Sequence, residues 1–188
     1  MRYLLTFLIF ILCISCKSKP PYTEDIKLEL KKMYIDDQNL QKYDLKKVVR
    51  KEYSDSMENE FNLLCRKNTI ELKKYLKDYG FPGIKENGKE IDLYFWVLAQ
   101  HADHDVSFQK KVLKSLKKEL NKKNANPKYY AFLYDRVKKN ENKPQLYGTQ
   151  ISWETGKPIL YKVQNPKELN QRRKMFGLEP IEEYLKNF

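Results

Sequence analysis

From Ile91 to Ala99, apolar side chains fall on nearly every face of a helix: Ile91, Leu93, Phe95, Trp96, Val97, Leu98 and Ala99. In a chain whose residues are 33% charged, a segment with no polar stripe to offer water has to lie inside. Other helices must then surround it, which points to a bundle rather than to a sheet with one wet face.

The flanking sequence supplies those neighbours. Thr23 can cap a helix carrying Ile26, Leu30 and Met33 on one face, with Asp36-Asp37-Gln38 read as its interruption. A polar, weakly patterned stretch follows to about Ser56, and Phe61, Leu64 and Cys65 mark another helical segment. Asn68 with Glu71, and Asn87 with Glu90, have the spacing of capping boxes and are expected to open two helices. Gly80 is expected to end the first of these, and Phe81-Pro82-Gly83 to turn the chain. Asp105 is the natural cap of a lysine-rich helix, and Asn126-Pro127 starts the next.

After Pro144 the period changes. Tyr147, Thr149, Ile151 and Trp153 alternate, as do Ile159, Tyr161 and Val163, across the turn signal Glu154-Thr155-Gly156-Lys157. Asn165-Pro166 with Glu168 opens a further helix that Gly177 ends, and Pro180 starts a short last one. The expected fold is therefore mainly α: one helical domain over residues 22–188 with a single late β-hairpin near 146–163.

Residues 1–15 read as a secretory signal, with Arg2 before an apolar core from Leu4 to Ile14. That core is shorter than the roughly 20 residues a membrane-spanning helix needs. Cys13-Ile14-Ser15-Cys16 resembles the lipobox of bacterial lipoproteins, with Cys13 where leucine is usual. The expectation is a lipid on Cys16 that anchors the protein in the membrane of a bacterial cell envelope, facing the periplasm or exterior. Ordinary signal cleavage and an uncleaved anchor are the competing readings. Residues 16–21 would then be the lipidated cysteine and a tether stiffened by Pro20 and Pro21. Only Cys65 would remain as a thiol, which excludes an internal disulfide and suits a small buried hydrophobe.

The formal charge of +12 permits nucleic-acid binding, but the lysines are interleaved with carboxylates along the whole chain. No aromatic-basic motif accompanies them, so nucleic acid is not the expected partner. The densest run, Lys110, Lys111, Lys114, Lys117, Lys118, Lys122 and Lys123, shares a helix with Phe108, Val112, Leu116 and Leu120. The plain reading is an amphipathic helix with lysines in water. The sharper one brings Lys110, Lys114, Lys117 and Lys118 to an anionic envelope surface.

Both histidines lie in His101-Ala102-Asp103-His104-Asp105. In a continuous helix His101, His104 and Asp105 would share a face, as a partial metal site would require. Asp105 as a cap breaks that continuity, and no distant His or Cys completes the set, so neither metal nor cofactor is expected. A metal-free hydrolase would use His101 as general base, Asp103 or Asp135 to orient it, and Arg136 to hold an anionic substrate. Water would be its nucleophile, because no serine or cysteine signature is present. Gln100, Gln145, Tyr147, Thr149 and Gln150 are expected to line the same pocket, with His104 an exposed junction residue. The leading expectation is recognition of a small polar ligand or envelope component; a hydrolase and a purely structural protein are the alternatives. The structural reading has its own logic, since a histidine at a helix C-terminus gains from the dipole and Asp135 and Arg136 point in different directions.

Gln100 to Asp105, Tyr134-Asp135-Arg136, Pro144 to Gln150 and the closing Asn165-Pro166, Arg172-Arg173, Gly177-Leu178, Pro180 and Glu183-Tyr184-Leu185 occur in that order. In this the chain resembles the uncharacterised bacterial family called domain of unknown function 6624, from about Asp37-Gln38 through Tyr79-Gly80-Phe81-Pro82-Gly83 to Leu185. Lys85 to Lys89 departs from its apolar-glycine pattern. The resemblance implies a fold and the whereabouts of a site, and no reaction.

Overall fold

Helix α4 (Lys89–Gln100) is the axis about which the other helices are arranged. A computed structural model describes residues 19–42, 51–153 and 157–188, with residues 51–54 described by backbone only. The signal segment, Cys16 and the first half of the tether lie outside the described residues. The expected turn at 154–156 does too.

Helices α1 (Glu24–Leu40), α2 (Lys51–Asp78), α3 (Ile84–Asn87), α5 (Val106–Asn121) and α6 (Pro127–Asn140) all contact α4. Phe95 is fully buried and meets the rings of Tyr22 and Phe81 edge-on, at 6.3 and 5.5 Å between centroids. Around it pack Leu30 and Met33 of α1, Leu72 of α2, Val112 and Leu116 of α5, and Leu133 and Val137 of α6. On the lysine-rich α5 the stripe Phe108, Val112 and Leu116 is buried while Lys110, Lys111, Lys114, Lys117 and Lys118 are exposed, as the four-residue spacing requires.

Caps decide several boundaries. Thr23, Asp105 and Asn126 each accept a bond from a backbone N–H in the first turn of α1, α5 and α6. Both expected capping boxes fail. Asn68 is buried inside α2, a single 28-residue helix, where the neighbouring Thr69 hydroxyl bonds back to the Cys65 carbonyl at 2.7 Å. Gly88 precedes α4, and the Asn87 side chain instead accepts the Tyr22 N–H at 2.8 Å and donates to the Gly83 carbonyl. Nor does Asp36-Asp37-Gln38 interrupt α1. Asp37 continues the buried register of Leu30 and Met33, and Asp36 forms an exposed ion pair with Lys32 at 2.6 Å. The tether is also less free than expected: Lys19 donates to the Leu76 and Lys77 carbonyls at the end of α2, and Tyr22 is buried.

The β-ladder is short. Strands β1 (Ile151–Ser152) and β2 (Ile159–Leu160) pair antiparallel, with Ile151 opposite Leu160 and Ser152 opposite Ile159. Residues 147–150 are buried without alternation and form no strand, because most of their backbone groups bond to side chains instead, the Gln150 carbonyl also taking the Tyr161 N–H. A 3-10 turn (Pro166–Glu168) leads into α7 (Leu169–Met175), and α8 (Ile181–Leu185) follows Pro180. Ala131, Tyr147 and Leu178 form a second, smaller core on α6.

Between α2 and α4, Gly80 and Gly88 take positive φ, whereas Gly83 at φ −70° is required by contact rather than by its dihedral. A Cβ on Gly83 would lie 2.0 Å from the Asn124 Nδ2. That asparagine receives the Lys85 N–H on its side-chain oxygen and donates to Glu86 and Glu119 at 2.7 and 2.8 Å. Gly83→Ala should therefore cost about 2–3 kcal/mol, seen as a fall in thermal midpoint of roughly 4–12 °C. An unchanged midpoint would mean that the asparagine is not needed.

Asp92 on α4 is buried, one of its oxygens has no partner among the described residues, and burial pushes its carboxyl up to about 7 despite a bond from the Asn126 backbone. Because it holds its proton more tightly folded than unfolded, its contribution to stability is full below about pH 4 and is lost as pH rises through about 7. Asp92→Asn should remove that loss. The midpoint of the variant relative to the parent should climb by several degrees between about pH 4 and about pH 8; parallel pH profiles would contradict this.

Candidate functional site

The end of α4 is built from two aspartates and their donors. His101 is the C-cap of α4, with its own N–H returned to the Val97 carbonyl. Its ring turns toward α1, where Asp37 Oδ1 and Oδ2 lie 2.8 and 3.0 Å from Nδ1. Asp37 is fully buried and also accepts from Gln38 Nε2 at 2.9 Å and Gln41 Nε2 at 2.8 Å. A carboxylate only accepts, so this geometry assigns a proton to Nδ1, and in the neutral tautomer that follows Nε2 is the acceptor. No partner for Nε2 occurs among the described residues, and the side chain keeps 15% of its exposure. Phe61 of α2 packs edge-on at 5.4 Å between centroids and limits how the ring can tilt.

Two residues on, Asp103 takes a bidentate clamp from Arg136 of α6, Nε at 2.9 Å and Nη2 at 2.6 Å. It accepts further bonds from Asn140 at 2.7 Å and Gln109 at 3.2 Å. Burial acts to raise the Asp103 carboxyl, but Arg136 and the two amides outweigh it and hold it below the usual range. Gln109, fully buried on α5, also donates to the Ala99 and Gln100 carbonyls and so closes the end of α4. Cys65 lies within reach of these charges. Its thiol is pushed up to about 12, first by burial and then by Asp37 and Asp103, which makes it an inert packing group. His104 is exposed at the junction; burial first, then Arg66, holds its imidazole below the ordinary range. Asp105 caps α5 and pairs with Lys73 at 2.6 Å.

The remaining sequence-predicted residues form a second cluster on another face of α6. Asp135 is fully buried and accepts the backbone N–H groups of Leu146, Tyr147 and Thr149 and the Thr149 hydroxyl, all within 3.2 Å. Burial raises its carboxyl against the pull of those donors. Gln145 donates to the Gln150 and Tyr161 carbonyls and accepts the Gln150 N–H, while the Gln150 amide donates to Thr149 Oγ1. From the opposite side Arg173, also fully buried, donates to the Tyr147 and Gly148 carbonyls and lies over the Tyr184 ring. Gly148 sits at φ +63° with Leu169 and Ile181 against it, so the sharp bend excludes a side chain.

A model of one family matches residues 24–188, which run from the first residue of α1 through both clusters. The chain belongs to DUF6624, a family of unknown function. No curated protein and no solved structure matches it.

The span shared with DUF6624 thus includes Asp37, which sequence reasoning passed over. The structure brings His101, Asp103 and Arg136 together, with the Gln100 carbonyl at their edge. It keeps Asp135, Gln145, Tyr147, Thr149 and Gln150 apart from them as a tie between α6 and the chain after it. The carboxylate that orients His101 is Asp37, rather than Asp103 or Asp135, and Arg136 is occupied by Asp103. Asp37, Gln109 and Arg173 each carried one signal: a polar residue in register with a buried apolar stripe, at Leu30-Met33-Asp37, Gln109-Leu113-Leu116 and Leu169-Arg173. Among the described residues no group of three or more His, Cys, Asp or Glu is placed to hold a metal ion.

A double-mutant cycle tests the central pair. Asp37→Ala leaves three donors without their acceptor and should cost about 1–3 kcal/mol. Coupling to His101→Ala should be about 0.5–3 kcal/mol by urea unfolding, and additive effects would show that the two side chains do not bond in solution.

Proposed function

We propose that this chain is a lipid-anchored bacterial envelope protein that binds a small polar ligand at the end of α4, with His101 Nε2 as the acceptor of a ligand proton. One observation carries the reading: a fully buried carboxylate holds Nδ1, while Nε2 has no partner among the described residues on a ring that keeps contact with solvent. Asn140 and Arg136, bonded to Asp103 two residues on, are further polar groups at the same end of α4. The anchoring part of the proposal is supported by the signal-like residues 1–15 and by Cys16 at their end. Among the described residues no helix is long and apolar enough to cross a membrane.

The same pair favours a second reading, a hydrolase. A carboxylate behind Nδ1 fixes the tautomer and stabilises the imidazolium that forms when Nε2 takes a proton from water. Asp37 would be the positioning residue and His101 the base.

The two readings separate on one pair of variants. A panel of sugars, amino acids and dicarboxylates is screened by thermal shift, and p-nitrophenyl acetate and p-nitrophenyl phosphate by colour release. Binding predicts a ligand whose shift disappears in His101→Gln. Hydrolysis predicts colour release that His101→Gln reduces by about 10²–10⁴-fold, with a smaller loss and an altered pH profile in Asp37→Asn. Responses identical in parent and His101→Gln would remove His101 from either function.

A further inference from the structure

On the opposite side of α5 from α6, the ends of α2 and α5 enclose a groove of about 480 Å³. Its walls carry six lysines: Lys19, Lys73, Lys77, Lys111, Lys114 and Lys118. Among the described residues no carboxylate lines it. Lys73 is neutralised by Asp105, and Lys19 is held by the carbonyls that close α2. For Lys77, Lys111, Lys114 and Lys118 no carboxylate lies within ion-pair distance among the described residues; Lys32, Lys74, Lys122 and Lys186 are paired, whereas Lys67, Lys167 and Lys174 are not but line no such groove. The floor is apolar, formed by Leu76 and Phe108.

Four unneutralised ammonium groups around an apolar floor repel one another, and an anionic partner relieves that repulsion. Lys19 lies three residues after Cys16, a span of at most about 11 Å. A lipid on Cys16 would thus hold the groove within roughly one Debye length of the headgroups. We infer that this groove is the surface by which the protein lies against the phosphodiester headgroups of an anionic bilayer, fixing the orientation of the domain on its anchor. The inference rests on the anchoring part of the proposed function. It keeps Lys114 and Lys118 of the sequence expectation, sets aside Lys110, which pairs with Glu141, and Lys117, and adds Lys77 and Lys111.

The test uses the full chain, purified in detergent and reconstituted with vesicles of phosphatidylcholine alone or with added phosphatidylglycerol. Acetylation rates of individual lysines are read by mass spectrometry, with flotation to score binding. Lys77, Lys111, Lys114 and Lys118 should be protected on anionic vesicles, exposed on neutral ones, and exposed again at high salt; Lys167 and Lys174 should not change. Each lysine neutralised should weaken the attraction about fivefold, so Lys111→Gln, Lys114→Gln and Lys118→Gln together should free Lys77. These three side chains are exposed, so the fold is retained.

Flotation on both vesicle types with equal acetylation would overturn the groove and leave the anchor standing. Flotation on anionic vesicles alone would sustain the groove and overturn the anchor, and flotation on neither would overturn both. Equal protection by inorganic phosphate in the absence of vesicles would overturn the bilayer assignment in favour of a soluble anion.

Discussion

A carboxylate taken out of water must find donors, and Asp37 and Asp135 find theirs on separate parts of the chain. Each is fully buried, and each would be costly without the bonds it receives. Asp37 draws His101 and two glutamine amides to the end of α1, which joins the first helix to the central one. Asp135 draws three backbone N–H groups into one loop, which joins α6 to the C-terminal quarter of the chain. Arg173 completes the second arrangement from the other side through the carbonyls of that loop. The cationic and anionic side chains do not meet. The peptide groups between them carry the interaction.

The division of polar residues into two clusters arises from helix geometry. Asp135 and Arg136 are consecutive on α6 and so point about 100° apart. One faces the second core under Tyr147, and the other faces the end of α4. Residues that look like a single pocket in the sequence therefore lie on two sides of one helix. Among the described residues the cluster at His101 combines an oriented ring with a nitrogen that has no protein partner.

Charge is arranged with the same economy. Several exposed lysines sit beside a carboxylate three or four residues away on their own helix, where pairing contributes little to stability but neutralises the surface. The groove between α2 and α5 instead gathers six lysines with no carboxylate in its described lining, and it includes Lys19 of the segment that leads back to Cys16.

The mainly helical fold, its central helix and its late hairpin were legible in the sequence because they rest on local causes. An all-round apolar segment must be buried, Asp105 and Asn126-Pro127 cap the helices they precede, and Gly80 and Gly177 end helices at positive φ. The lysines of α5 were placed in water by the same spacing that buries Phe108, Val112 and Leu116. A polar cluster around His101 was legible too, since that histidine ends the most apolar helix and stands beside two acids. Its bonding partner was decided by tertiary structure alone. Asp37 stands 64 residues away in a tripeptide that reads as a helix break, and only packing against α4 makes its burial worthwhile. Asn68 and Asn87 have capping spacing, yet Asn68 is enclosed within one long helix and Asn87 reaches across to Tyr22. Capping is a contest between local and distant partners for one side chain, and the sequence shows only the local ones.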